Sequence, residues 1–154
     1  MELYINIRNY RDMIRVYSGG KSVNLPTSQE SYHEVSVGAI PKVVVETTSN
    51  RELNIGIGAY CTFRGEKYYL FTAPEVVKRS RHEYQYKLTF YGEGQRLALT
   101  KFKFLVDNPS DVRLKLSLSG TPRFFLEQIV RCMGGEWKIG TCLEATSQVL
   151  SFNH

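Results

Sequence analysis

A two-residue alternation of apolar and polar side chains recurs along this chain and limits the folds open to it. In "EYQYKLTFYG", Tyr84, Tyr86, Leu88 and Phe90 occupy every second position, with polar residues between them. Such alternation is typical of a strand with one buried face, because successive side chains point to opposite sides of a sheet. The segment "VRLKLSLSG", residues 112–120, repeats the pattern. The sequence therefore predicts a mainly β protein.

The order of the elements favours an antiparallel arrangement. Strand-like segments lie on both sides of one helix, predicted over 121–134, and lack the β-α-β alternation of parallel sheets. Thr121 is placed to cap this helix and Pro122 suits its first turn. Its apolar stripe comprises Phe125, Leu126, Ile129, Val130 and Met133. We predict a mainly β (α+β) fold, an antiparallel β-barrel or sandwich with one packed helix, in a single domain over 1–154.

Other segments carry weaker patterns. Residues 21–34, "KSVNLPTSQESYHE", are polar and predict a long exposed loop. Alternation in "LTKFKFLVD" (99–107), "EWKIGTC" (136–142) and "QVLSFN" (148–153) predicts further strands. The chain ends in the strand-like "SFNH", and we expect it to be the N-terminal fragment of a longer protein.

Composition excludes several classes of protein. No run of about 18 apolar residues is present, so no transmembrane helix is predicted. The cysteines Cys61, Cys132 and Cys142 form no C-x-x-C pair, which argues against a disulfide framework and a zinc ribbon. The 20 basic and 15 acidic side chains leave a net charge of +5, which permits a nucleic-acid partner without requiring one.

The glycines in "IGIGAYCTFRGEKYYLF" raise the possibility of a phosphate-binding loop. A dinucleotide fingerprint needs a third glycine where Cys61 stands, followed by a helix whose N-terminus meets the phosphates. A strand pattern follows Gly58 instead, and Gly65 matches the turn of a β-hairpin. These glycines are therefore interpreted as structural positions in a sheet.

No catalytic residue, cofactor site or metal site emerges from the pattern. The histidines are scattered over a polar loop, a basic turn and the chain end: His33, His82 and His154. None belongs to a nucleophile or zinc motif, and the acidic residues do not form pairs. We expect no enzymatic activity within these residues and no cofactor.

One segment, residues 78–90, offers an alternative function. Cations next to aromatic rings can form a platform for single-stranded nucleic acid. The residues concerned are Lys78, Arg79, Arg81 and Lys87, with Tyr84 and Tyr86 as the rings. Because the two tyrosines share a face with Leu88 and Phe90, they fit a core stripe better. A nucleic-acid-binding β-barrel is therefore kept as the alternative hypothesis, and nucleic acid is not an expected partner.

Residues 55–97, "IGIGAYCTFRGEKYYLFTAPEVVKRSRHEYQYKLTFYGEGQRL", resemble a known family. They are similar to the N-terminal part of bacteriophage and prophage tail-hub (tail-tip or baseplate-hub) proteins, most of all those of Bacteroides-type prophages. The motif positions matched are Ile57, Gly58, Tyr60, Phe63, Gly65, Glu66, Tyr68, Leu70, Tyr84, Tyr86, Leu88, Phe90 and Gly92. Residues 118–154 resemble a third element of the family, while Ala59 and Tyr91 depart from its usual acidic residues.

The resemblance implies a structural role in a virion tail. Tail-hub proteins form a ring, typically a trimer, that joins the tail tube to the tail tip or spike, and their N-terminal barrels are related to the tube protein. The partners implied are other copies of this chain, tube proteins and tip proteins. The protein would be made in the bacterial host cytoplasm and would end in the virion tail.

Overall fold

A computed structural model describes residues 2–101, 117–134, 136–141 and 149–153. The chain divides into two compact units, Met1–Arg96 and Leu97–His154, where the sequence had suggested one domain. The strands of the first unit are β1 (Glu2–Asn6), β2 (Met13–Ser18), β3 (Lys21–Pro26), β4 (Tyr32–Ser36), β5 (Lys42–Ser49), β6 (Tyr60–Phe63), β7 (Glu66–Leu70), β8 (Glu75–Ser80) and β9 (Glu83–Gly92).

The strands of the first unit form one curled sheet, a half-barrel. Eight of them follow the order β1-β4-β5-β9-β7-β6-β2-β3, and β8 pairs with β9 beside this path. Each described pairing is antiparallel. The long strand β9 is central, since it pairs with β5 along one edge and with β7 and β8 along the other. The prediction of a mainly antiparallel β fold is confirmed.

Two tight hairpins owe their turns to residues with positive φ. Gly19 and Gly20 join β2 to β3 with φ of 55° and 76°. Arg64 and Gly65 join β6 to β7 with φ of 52° and 84°, as the hairpin prediction for Gly65 required. Two residues of positive φ give a turn whose twist matches that of the flanking strands, and glycine adopts this conformation without steric cost.

The core lies on one face of this sheet. Its cluster of buried residues comprises Ile7, Ile14, Val16, Leu25, Val43, Val45, Ile55, Ala59, Cys61, Phe63, Tyr68, Leu70, Leu88 and Phe90. Along β9, Tyr86, Leu88 and Phe90 are buried as the alternation predicted, and Tyr84 is half-buried. The alternation thus identified the buried face of this strand.

The prediction of an exposed loop over 21–34 was wrong. Residues 21–26 form β3 and residues 32–34 belong to β4, so that only 27–31 connect the two strands. Leu25 and His33 are buried. The alternation of β3 is hard to see in the sequence because most of its residues are polar and exposed. Only Val23 and Leu25 point to the core. Pro26 is tolerated because β3 is an edge strand, where proline disrupts no ladder.

The second unit contains a short strand pair and the predicted helix. Strand β10 (Ser117–Gly120) pairs antiparallel with β11 (Leu150–Asn153), and α2 spans Pro122–Cys132. The Thr121 side chain accepts a hydrogen bond from the Phe124 N–H at 3.2 Å. The helix prediction is confirmed, although Met133 is the one residue of the predicted stripe that is buried and the others are half-buried.

Other expectations need correction. The chain has a second, short helix, α1 (Gly94–Leu99), and the predicted strand 99–107 begins at its last residue. Its sequence "GQRLAL" is rich in helix-forming residues, and their helix propensity outweighs the weak alternation that begins at Leu99. Residues 136–141 form no strand, and β11, which lies in the predicted strand 148–153, pairs with β10. Val112, Leu114 and Leu116, like residues 102–107, lie outside the described residues.

Candidate functional site

The residues that carry the resemblance lie on or beside three neighbouring strands, β6, β7 and β9. In the ladder β6-β7-β9, Tyr60 is opposite Tyr69, Tyr68 is opposite both Cys61 and Gly92, and Leu70 is opposite Phe90. Gly58 and Gly65 lie at the two ends of the β6 segment. Tyr84 and Tyr86 lie further along β9, where β5 and β8 flank them. The structure therefore brings most of the motif into one patch of sheet.

Gly58 has a structural role in this patch. It adopts φ of 89°, and its N–H donates a hydrogen bond to the carbonyl of Leu70 at 2.8 Å. The Leu70 N–H donates in turn to the carbonyl of Ala59, also at 2.8 Å. Because the Gly58 N–H is used within the sheet and a strand follows, these glycines do not form a phosphate cradle.

Gly92 lies at the end of β9, opposite Tyr68 of β7. Its N–H donates a hydrogen bond to the Pro41 carbonyl at 2.8 Å. A Cβ at this position would lie 3.1 Å from Cγ of Pro41, which is tighter than ordinary contact. A side chain at this position would require Pro41 to shift by a few tenths of an ångström, which favours glycine here.

A buried polar pair that the sequence did not predict joins His33 to Tyr68, one of the residues of this patch. Nε2 of His33 is 2.9 Å from the hydroxyl of Tyr68, and the imidazole is 5.0 Å from the ring of Phe63. Burial and the nearby charge of Arg64 lower the pKa of His33, and burial raises the pKa of Tyr68. The 4% exposure of His33 leaves no access for a substrate, so the pair is structural.

The four cations of the nucleic-acid alternative lie on the β8-β9 hairpin, which projects into solvent. Lys78 and Arg79 belong to β8, Arg81 to its turn and Lys87 to β9. Each residue of β8 is exposed.

Each of three cations has a neighbour on or beside the hairpin. Nζ of Lys78 is 5.3 Å from the centre of the Tyr84 ring, and Nε of Arg79 donates to Oε1 of Gln85 at 2.9 Å. Nζ of Lys87 is 3.8 Å from a carboxylate oxygen of Glu46 in β5.

The two rings of that alternative stack on each other with centroids 6.4 Å apart, but they differ in exposure. Tyr86 is buried, and its hydroxyl accepts a hydrogen bond from the Leu53 N–H at 2.8 Å. Tyr84 is half-buried and packs against Lys78. Since a stacking platform needs exposed ring faces, Tyr84 is the only one of the two that retains partial access.

A row of tyrosines crosses the outer face of the sheet and was missed by sequence reasoning. Tyr17 is opposite Tyr60, Tyr60 is opposite Tyr69, and Tyr69 is opposite Tyr91. The Tyr17 and Tyr60 rings stack with centroids 4.8 Å apart, and Nζ of Lys67 lies 5.2 Å from the Tyr60 ring. Each of these tyrosines is half-buried by its neighbours, so the row stabilises the sheet as cross-strand pairs.

The described residues contain no cluster of three or more potential metal ligands, and no helix among them is long and apolar enough to cross a membrane. Comparisons with family models, with curated proteins and with solved structures find no match to this chain.

Proposed function

We propose that this chain is an assembly module of a bacteriophage or prophage tail, part of a hub that joins the tail tube to the tail tip. The observation that carries the proposal is the patch formed by the motif. Residues from two separate elements of the resemblance, Tyr68 and Gly92, are direct neighbours across β7 and β9. A pattern that codes for one fold places its separate elements in contact in this way.

The proposed role is structural and involves no catalysis within these residues. The curled antiparallel sheet suits a module that stacks or closes into a ring with other copies, tube proteins and tip proteins. Among the described residues, β1 and β3 lie at the ends of the strand order, and open edges are natural sites for contact with neighbouring subunits. The protein would act in the virion tail after synthesis in the host cytoplasm.

Deletion of the gene tests this proposal most directly. In the genome that encodes this chain, we expect adjacent reading frames for a tape-measure protein and for tail fibres. After deletion, particles should lack complete tails under the electron microscope, and an intact gene supplied in trans should restore them. Normal tails in the deletion strain, or the absence of this chain from purified particles by mass spectrometry, would contradict the proposal.

The basic hairpin supports a second candidate, a contact with single-stranded nucleic acid. The observation that favours it is the grouping of Lys78, Arg79 and Arg81 on one exposed hairpin beside the Tyr84 ring. Binding should weaken steeply as salt rises and should fall when Arg79 and Arg81 become alanine. Fluorescence anisotropy with a labelled oligonucleotide measures this, and no binding at low salt would rule the candidate out.

A further inference from the structure

Strand β8 is the most exposed strand of the described sheet, and its outer edge has no partner there. It pairs only with β9, which leaves the backbone groups along its other edge open among the described residues. Val76 and Val77 point to opposite faces, yet they are 48% and 50% exposed. An open edge that also exposes valines on both faces is a template for another strand.

The charges along β8 are arranged symmetrically about Val77. Glu75 and Val77 are opposite Lys87 and Gln85 of β9 and so share one face with them. A register shift between Lys78 and Ser80 interrupts the ladder to β9 at Arg79. Nε of Arg79 nevertheless donates a hydrogen bond to Oε1 of Gln85 at 2.9 Å, so its side chain lies on this face too. This face of β8 therefore presents an acid, a valine and a base in succession, and an antiparallel copy of the same sequence would present the reverse order.

We propose that β8 pairs antiparallel with β8 of a second copy of this chain, with Val77 on the two-fold axis. In this register Val77 meets its own counterpart, and Glu75 of each copy is opposite Arg79 of the other. Val76 is then opposite Lys78, whose alkyl chain can cover it. Two ion pairs thus flank one apolar contact on the same face, and opposite charges directly across a strand pair are favourable.

The present contacts of Glu75 and Arg79 are compatible with pairing to a second copy of β8. Among the described residues no ion pair engages Glu75, and Lys87 across from it is paired with Glu46. Arg79 contacts a neutral amide, and exchange of this partner for a carboxylate would strengthen its hydrogen bonds. Both groups are therefore available to a neighbouring molecule.

Alternative registers are less favourable. A pairing centred on Lys78 would place this lysine opposite its own counterpart, and like charges directly opposite are destabilising. A pairing centred between Val77 and Lys78 would put Arg79 opposite Val76 and would form no ion pair. The charges that usually protect an edge strand from association therefore select one register here.

The interface is small. Six residues of strand extend about 20 Å, so the contact is in the range of weak and reversible associations. An isologous two-fold contact also differs from the heterologous contact that closes a ring. The pairing therefore does not depend on the tail-hub proposal, and it would add to any ring contact.

Charge reversal provides a sharp test. We expect sedimentation velocity of the full chain to show a concentration-dependent dimer. Either Glu75→Arg or Arg79→Glu alone places like charges opposite each other twice, and should weaken the dimer by about tenfold or more. An equimolar mixture of the two variants should associate again, because each copy then supplies the complement of the other. The double variant Glu75→Arg, Arg79→Glu should also dimerise.

Controls separate folding from association. Circular dichroism should show that each variant folds, as expected for substitutions on an exposed strand. Val77→Arg is an independent variant, because it places like charges on the two-fold axis and should also weaken the dimer. A monomeric parent chain at high concentration, or a mixture of the single variants that stays monomeric, would overturn the pairing. A trimer insensitive to these variants would overturn it as well while leaving the tail-hub proposal intact.

Discussion

His33 and Tyr68 illustrate how single residues acquire their role in this protein. The two are 35 positions apart in sequence, and their hydrogen bond of 2.9 Å exists only because the curled sheet brings β4 near β7. Nδ1 of His33 is buried without a hydrogen-bond partner among the described residues. An unpaired buried polar atom is costly, so this site is sensitive to any change in protonation.

Acid should destabilise the protein through His33. Burial holds its pKa in the folded chain below the value of 6.5, so the unfolded chain binds a proton first as the pH falls. The contribution of His33 is therefore complete above pH 6.5 and is lost as the pH falls through the folded pKa. Urea unfolding between about pH 7.5 and about pH 5 measures this.

The control for this prediction is His33→Gln, which cannot titrate. It should flatten the pH dependence of the free energy of unfolding, although the variant is less stable at neutral pH. A slope that His33→Gln leaves unchanged would show that other groups control acid unfolding.

A pair of glycines provides a matched test of backbone strain. Gly58 has φ of 89° and Gly56 has no positive φ, while a Cβ at either position would meet open space. Gly58→Ala should therefore lower the free energy of unfolding by about 1–2 kcal/mol, purely through backbone strain. Gly56→Ala should be nearly neutral. Chemical denaturation measures the free energy of unfolding of both variants. Equal losses would mean that the positive φ at Gly58 causes no strain when alanine replaces glycine.

At the scale of elements, local signals predicted the hairpin at Arg64–Gly65, strand β9 and helix α2. Each rests on neighbours in sequence: a turn with glycine, strict alternation, and a capping residue followed by proline. Strand β3 and the first residues of β4, which fall in the predicted loop 21–34, were missed because their polar residues outweigh the apolar ones. A strand at an edge or with an exposed face needs few apolar residues, and pairing with neighbours then decides its conformation.

The cap of α2 should be measurable by itself. The side chain of Thr121 accepts a hydrogen bond from the Phe124 N–H, so Thr121→Ala should cost about 1 kcal/mol of stability. Thr121→Ser retains the hydroxyl and should stay within a few tenths of a kcal/mol of the parent. Thermal unfolding followed at a helix-sensitive wavelength compares them, and an unchanged Thr121→Ala variant would contradict a role for this cap.

At the scale of the whole molecule, the buried cluster belongs entirely to the first unit. Each of its members lies within residues 1–96. Cys61 is a fully buried member of this cluster, and its burial raises the pKa of the thiol to about 12. Because the thiol is protonated and buried, Cys61 should react with alkylating reagents only when the first unit unfolds.

A fragment of residues 1–96 should therefore fold alone and protect Cys61. We expect cooperative unfolding in urea, and alkylation of Cys61 in the fragment as slow as in the full chain, measured by mass spectrometry of the peptide that contains it. Rapid alkylation of Cys61 in the fragment but not in the full chain would mean that the first unit needs the second.

The sequence by itself determined the class of fold, the buried face of β9, the hairpin turn and the capped helix, because these depend on spacing over a few residues. Only the tertiary structure decided the strand order, the buried His33–Tyr68 pair, the row of tyrosines on the outer face and the exposure of β8. Each of these joins residues distant in sequence. The alternation of a sequence predicts that a strand has one apolar and one polar face. The neighbours of the strand in the folded protein determine what each face contacts.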